Sequence, residues 1–251
     1  MGNALWTGVR LRDVLDKAGV KPGAVQLRFK GMDEPVVADA PHFMKSLDID
    51  HARDGEVMVA YAMNGEQLPL VNGFPLRLVV PGWYATYWVK MPNDIEVLNQ
   101  PDTNYWTKVA YTIPDTPHAS IEPGETDVKM VPINKMVPRS FVTNLPSGQK
   151  VNAATPATLR GIAFGRRLCC GKRRLLHRSR QKLAPGATGK GPGQIWISAV
   201  ADPIHAAFAR QLHRILTRCT NSNGVAQPET TNWNPAGFMR NVVASVDVVA
   251  I

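Results

Sequence analysis

Apolar and polar residues alternate in short blocks along this chain, and the period of the blocks changes often. Leu11, Val14, Leu15 and Ala18 fall at helical spacing, with Gly19 placed where a helix ends. Val25-Gln26-Leu27-Arg28-Phe29 alternates with the period of a half-buried strand, and Gly31 and Asp33 mark the turn after it. Val57 to Tyr61 is an apolar strand that closes at Asn64-Gly65, a pair that tolerates positive φ and favours a tight hairpin. Leu76 to Val80, bracketed by Pro75 and Pro81-Gly82, predicts a third strand. Trp88 to Lys90 and Ile95 to Val97 predict two more. Short strands with occasional helices indicate an α+β domain rather than a regular βαβ repeat.

Proline, glycine and acids dominate residues 115–128, which reads as an irregular linker. Val137 to Val142 then opens a new pattern, so the expected domains are residues 1–128 and 129–251. A turn at Pro146-Ser147-Gly148 and a strand at Leu159 to Phe164 have the style of a β-sandwich. Strand periodicity disappears from Arg166 to Leu216. It returns in the turn Cys219 to Gly224 and the apolar run Val242 to Val249.

Composition adds one feature to this picture. A hydrophobic fraction of 44% and a charged fraction of 20% are those of a globular domain, and no apolar run reaches membrane-spanning length. Three cysteines, Cys169, Cys170 and Cys219, do not make a disulfide framework. Without a secretory pattern after Met1, the sequence as it stands reads as cytoplasmic. The net charge of +9 is local: residues 166–216 hold eleven Lys/Arg and one acid, Asp202, while the remainder carries 18 basic and 19 acidic residues. That block invites a reading as a nucleic-acid or anionic-surface binder. It lacks interleaved aromatics and any base-reading motif, so neither nucleic acid nor membrane is an expected partner.

Three clusters could carry chemistry. In Asn72 to Gly82, with Trp88-Val89-Lys90 beyond it, Arg77 and Lys90 flank a Gly-rich turn and could hold an anionic cofactor tail. A buried strand with a surface arginine satisfies the same spacing. In Tyr105 to Tyr111, a phenol near a lysine and an apolar wall could orient an oxyanion or relay a proton, or simply pack as aromatic core. Cys169-Cys170 with His177 lacks structural zinc spacing, and no metal site is expected there.

Taken in order, these segments resemble the sulfite oxidase family. The matching runs are Trp6-Thr7-Gly8-Val9, Ala60 to Glu66, Gly73 to Arg77 with Lys90, and Lys108-Val109-Ala110-Tyr111. The run Tyr105 to Pro114 is most similar to bacterial periplasmic sulfite dehydrogenases. Trp233 to Val242 resembles the immunoglobulin-like, dimerising domain that ends the family's chains. The resemblance implies a mixed molybdopterin domain followed by an immunoglobulin-like sandwich, disrupted here between 166 and 216. It implies molybdenum-molybdopterin as cofactor, sulfite as substrate and a c-type cytochrome as electron acceptor. A homodimer or a heterodimer with a cytochrome subunit, exported to the periplasm, follows from the same likeness. Asp33, Asn72, Arg77, Trp88, Val89 and Lys90 match cofactor-contacting positions, with Asn72 standing where many relatives have histidine and Ala85 replacing a common loop glycine. Tyr111 matches the active-site tyrosine near bound sulfite. A catalytically silent relative acting through protein contacts would keep the same pattern.

In relatives, the molybdenum-ligating cysteine lies upstream of the position where Met1 begins. The resemblance therefore implies a truncated chain that retains its cofactor poorly and is inactive as given. A sulfite-binding arginine from the second domain would fall within 166–216, where the likeness stops. Permitted codons for this block, read one nucleotide later, encode an open, sandwich-patterned string containing Phe-Arg-Gln-Trp. The corresponding DNA, read one base later from Gly165, should therefore give sandwich sequence ending in Gly-Ser-Tyr-Thr, with a compensating shift near Leu216. Nucleotide sequencing decides this, and stop codons in that frame would make the basic block a genuine replacement.

Overall fold

The structure is a computed structural model and describes residues 4–152, 155, 157–165, 174–177, 183–185, 198–204 and 212–251. Strands dominate it, and the α-helices are short: α1 Leu11–Ala18, α2 Ile49–Arg53 and α3 Tyr105–Lys108. The chain divides into two compact units, Met1–Asp115 with Val128–Asn134, and Thr116–Asp127 with Lys135–Ile251. The division is not a single cut. The expected linker 115–128 contributes to the second unit, and the chain returns to the first for 128–134.

The first unit is built from three small sheets. β1 Trp6–Arg10, β2 Gln26–Gly31, β3 Met44–Asp48, β4 Met58–Met63, β5 Glu66–Gln67, β6 Arg77–Val79 and β7 Pro92–Leu98 precede β8 Thr112–Pro114 and β9 Met130–Pro132. β4 is the hub of the first sheet, pairing antiparallel with β1, β5 and β6. β2 lies between β3 and β7, again antiparallel, and β8 pairs with β9. Alternation in β2 buries Leu27 and Phe29, as the sequence pattern requires. α1 buries Leu11 and Leu15 and ends at Gly19. The hairpin after β4 turns at Asn64, φ 56°, and Gly65.

One predicted strand is different. Tyr84 opens a 3₁₀ turn at Ala85–Tyr87 that closes on Trp88, so residues 88–90 meet β6 through an isolated Arg77–Lys90 bridge rather than as a regular strand. The Leu78 amide still donates to Val89 O at 2.9 Å. The turn consumes the residues that would have lengthened the strand.

The second unit has two sheets facing each other across an apolar core. Its strands are β10 Arg139–Val142, β11 Gln149–Val151, β12 Ala157–Phe164, β13 Arg174–His177, β14 Leu183–Pro185, β15 Ser198–Ile204, β16 Leu212–Arg218 and β17 Ala244–Ala250. One sheet runs β10-β12-β15, the other β11-β17-β16-β13-β14. Leu145, Val151, Leu159, Ile215, Val248 and Ala250 are buried together between them. The disruption expected between 166 and 216 would leave β12 and β17 short of neighbours, yet both are paired. β12 pairs with β15 from Ala157–Ile204 to Ala163–Ser198, and β17 pairs with β16 from Leu212 to Thr217. The physical reason is that a strand ladder uses backbone N–H and C=O groups, so it does not require alternating side chains. Cys169, Cys170 and the Gly-rich run 186–192 lie outside the described residues.

A single amide ties the second unit together. Gln227 is fully buried; its Oε1 accepts from Ser140 Oγ at 2.6 Å and from the Cys219 amide at 2.9 Å. Its Nε2 donates to Asn241 O at 3.0 Å and Val242 O at 3.3 Å. Replacing it leaves several buried groups without partners, each costing about 1–3 kcal/mol. Gln227→Met should therefore lower unfolding stability by on the order of 3 kcal/mol in urea titration, and a change below about 0.5 kcal/mol would refute this role.

Candidate functional site

Six of the seven sequence-predicted site residues converge where three loops of the first unit meet. The 31–33 loop follows β2, the 72–74 loop precedes β6, and the 88–91 segment follows the 3₁₀ turn. The Met32 amide donates to Met91 O at 3.0 Å, which joins the first and third. Two glycines allow the close approach. A Cβ on Gly31 would lie 2.4 Å from Lys90 O, and one on Gly73 would lie 3.1 Å from Lys90 Cβ, with φ at 106° besides. Asp33 and Lys90 are exposed on this rim, Asn72 is half-buried, and Val89 is buried beneath it.

Arg77 occupies the centre. Its Nη1 donates to Asn72 O at 2.7 Å. Its guanidinium carbon lies 5.6 Å from the Trp6 ring centroid and 5.7 Å from that of Trp88. The two indoles meet edge-on, 5.8 Å apart. Burial lowers the Arg77 pKa from its ordinary value, and among the described residues Nε finds no hydrogen-bond partner. Trp83 Nε1, Thr86 Oγ1 and Trp88 Nε1 are likewise buried without partners on the same 77–88 stretch. Native proteins rarely leave buried donors unmatched. The arrangement can bind an anionic, acceptor-rich group: a planar fork against two edge-on indoles, one of which, Trp88, carries a further unmatched N–H.

Tyr111, the seventh, is held in a second cluster. It lies half-buried after α3, tilted against Trp106 with ring centroids 6.0 Å apart. Lys45 Nζ sits 5.2 Å from the Tyr111 centroid and 4.9 Å from that of Tyr87. Tyr87 donates to Ile133 O, and its phenol is pushed far up by burial and then by Asp48. Tyr87 and Trp88 are adjacent in the chain, so the 3₁₀ turn contributes to both clusters. Lys45 was not legible in the sequence, because an isolated lysine ordinarily reads as surface.

The segment that carries Tyr111 is anchored by Asp102. Its carboxylate accepts from Ser46 Oγ, from the Asn104 amide at 2.9 Å and from Asn104 Nδ2 at 2.7 Å. Arg28 Nη1 lies 3.6 Å away. Asn104 Oδ1 in turn accepts from the Thr107 amide at 3.1 Å, capping α3. Among the described residues, His51, Asp54 and Glu56 bring possible metal-ligand atoms within 4.8 Å of one another. There His51 Nδ1 pairs with Asp54 at 2.6 Å and the imidazole stacks on Trp83, an arrangement that packs the turn.

Residues 1–106 match the family described as oxidoreductase molybdopterin binding domain. The mitochondrial sulfite oxidase of Drosophila melanogaster is 32% identical over 55% of this chain and 25% of its own length. The chain belongs to the sulfite oxidase family of molybdopterin oxidoreductases. The sulfite oxidase of Arabidopsis thaliana is also 32% identical, over 44% of this chain and 30% of its own. An NADH nitrate reductase of Solanum lycopersicum is 28% identical across 96% of this chain and 29% of its own length. The chain thus spans less than a third of these family relatives. The sulfane dehydrogenase SoxCD of Paracoccus pantotrophus shares the fold at a TM-score of 0.77 and 20% identity, over 98% of this chain and 60% of that one. The cofactor this family binds is a pterin carrying phosphate and molybdenum. The unmatched Arg77 Nε and Trp88 Nε1 fit the acceptors of such a group.

Burial pushes the Asp102 carboxyl up, but Ser46, Asn104 and Arg28 together outweigh it and hold the group below its usual range. A depressed carboxylate contributes stability above its unfolded pKa of about 3.9 and loses it as pH falls through the lower folded value. Asp102→Asn should cost on the order of 2 kcal/mol near neutral pH. In chemical denaturation the gap between native and variant should close below about pH 4, and a gap that persists unchanged at about pH 2.5 would exclude a charge-dependent anchor.

Proposed function

We propose that this protein oxidises sulfite to sulfate with a molybdopterin cofactor and passes the electrons to a c-type cytochrome, in the periplasm. The observation that carries the reading is Arg77 against the paired Trp6 and Trp88 indoles, with Arg77 Nε and Trp88 Nε1 buried and unmatched among the described residues. In it, Arg77, the Trp88 indole N–H and the exposed Lys90 hold the anionic part of the pterin group. Asp33 and Asn72 hydrogen-bond its polar edges, and Val89 supports the floor. The bound group supplies two-electron oxygen-atom transfer.

The chain's own residues orient the substrate. Tyr111 presents a phenol to the oxyanion from a segment locked by Asp102 and Lys45, so its geometry is set before the substrate arrives. Trp106 and Tyr87 wall this side with apolar surface and limit the access of water. A homodimer, or a pair with a cytochrome subunit, would be the assembled form. The described cysteine, Cys219, is 1% exposed in the second unit's core. On this reading the chain retains molybdenum poorly. A second reading, nitrate reduction, is favoured by the alignment of the tomato nitrate reductase over nearly the whole chain.

The test is sulfite-dependent reduction of a c-type cytochrome by molybdenum-loaded protein. Tyr111→Phe should reduce that rate by on the order of 10²-fold, the usual cost of one donor to developing charge. Equal rates would remove Tyr111 from the site. Turnover of nitrate by reduced protein, with none of sulfite, would favour the second reading.

A further inference from the structure

β3 carries a buried cation that the cofactor loops do not use. Lys45 is 1% exposed, and its Nζ donates to the carbonyl oxygen of Trp106 at 2.7 Å. Among the described residues no carboxylate forms an ion pair with it. Its remaining surroundings are the faces of Tyr87 and Tyr111, at 4.9 and 5.2 Å. Buried ammonium groups are ordinarily neutralised by a carboxylate, because an unpaired charge costs several kcal/mol of desolvation. Two aromatic faces and one carbonyl recover only part of that cost. A positive charge maintained without a counter-ion leaves a field in its neighbourhood.

We infer that Lys45 is a positioning residue that makes the site beside Tyr111 selective for oxyanions, its uncompensated charge acting across the Tyr111 ring. The inference rests on the oxyanion reading of Tyr111 given above and names its electrostatic origin. Lys45 does two things at once. Through the Trp106 carbonyl it fixes the backbone five residues before Tyr111, and through its charge it raises the potential where a small oxyanion would sit. At about 8 Å and an effective dielectric near 20, that attraction is worth more than about tenfold in affinity.

The groups around Nζ are few. From the 3₁₀ turn comes Tyr87, and from the segment after α3 come Tyr111 and the Trp106 carbonyl. On β2 the register partner of Lys45 is the apolar Phe29. His51 on α2 is engaged with Asp54 and Trp83. On β3 itself, Asp48 acts on Tyr87, and Ser46 binds the Asp102 carboxylate that also faces Arg28. Burial lowers the Lys45 pKa from 10.5 to about 8. The charge is therefore present at neutral pH and lost in mild alkali.

Sulfate binding to the full chain, followed by titration calorimetry, tests this without reference to turnover. Sulfate keeps its charge throughout, so the native protein should bind it more than about tenfold more weakly at about pH 9.5 than at about pH 7. Lys45→Met should bind at the weak level at both values. Lys45→Arg, which retains the charge, should bind at the strong level at both. Near-UV circular dichroism checks folding, and if Lys45→Met does not fold, the native titration and Lys45→Arg still decide. Native affinity unchanged between the two pH values, native-like binding by Lys45→Met, or no sulfate binding at all would each overturn the inference. The expected pattern without sulfite oxidation would leave it standing and remove the proposed reaction. Sulfite oxidation with native-like Lys45→Met binding would do the reverse.

Discussion

The segment from Asp102 to Tyr111 has almost no regular structure of its own, with one turn of helix and no ladder until β8 begins at Thr112. Its backbone groups must nonetheless be matched as the chain buries them. Two consecutive side chains of β3 hold the segment, one through a side chain and one through a backbone carbonyl. Ser46 binds Asp102 at the start of the segment, and Lys45 binds the Trp106 carbonyl at its centre. Asn104 then relays the anchored carboxylate to the Thr107 amide. The position of Tyr111 thus follows from the placement of β3, which is set by its antiparallel pairing with β2. A change in that register would move both anchors together.

The same economy appears around Arg77. The side chain is held by one carbonyl and two indoles, while among the described residues its Nε and the Trp88 Nε1 have no partner. Structural arginines usually spend their fork on carboxylates or carbonyls. An arginine poised but incompletely used, beside two glycines that let three loops touch, is what a site for an acceptor-rich ligand requires. The family comparisons point to the same group from an independent direction, since residues 1–106 match a molybdopterin-binding domain. The two clusters share the 3₁₀ turn, where Tyr87 faces Lys45 and Trp88 faces Arg77.

In the second unit the sheets tolerate a sequence without evident strand periodicity. β13 to β16 lie within or overlap the basic block, yet they complete both sheets through backbone pairing. Specificity enters at the edges of that block, where Leu159, Ile215 and Val248 meet in the core and Gln227 joins Ser140, Cys219 and Asn241. The sandwich form of this unit supports its kinship with an immunoglobulin-like domain as a proposal.

Local pattern by itself determined α1, the alternation of β2, the Asn64-Gly65 hairpin and the strands at β4, β6, β7, β12 and β17, because period and turn chemistry are properties of neighbouring residues. Motif order also pointed to the family, and that resemblance singled out Asp33, Asn72, Arg77, Trp88, Val89 and Lys90, which three loops bring together. Only the tertiary structure decided that 88–90 is a bridge rather than a strand, that 116–127 joins the second unit, and that Lys45 is buried. Each of these depends on partners far away in the chain: Trp233 O for Ile121, Leu76 O for Met91, and Trp106 O for Lys45. A lysine surrounded by unremarkable neighbours carries no local sign of its environment. Its burial exists only once β3, the 3₁₀ turn and the segment after α3 enclose it.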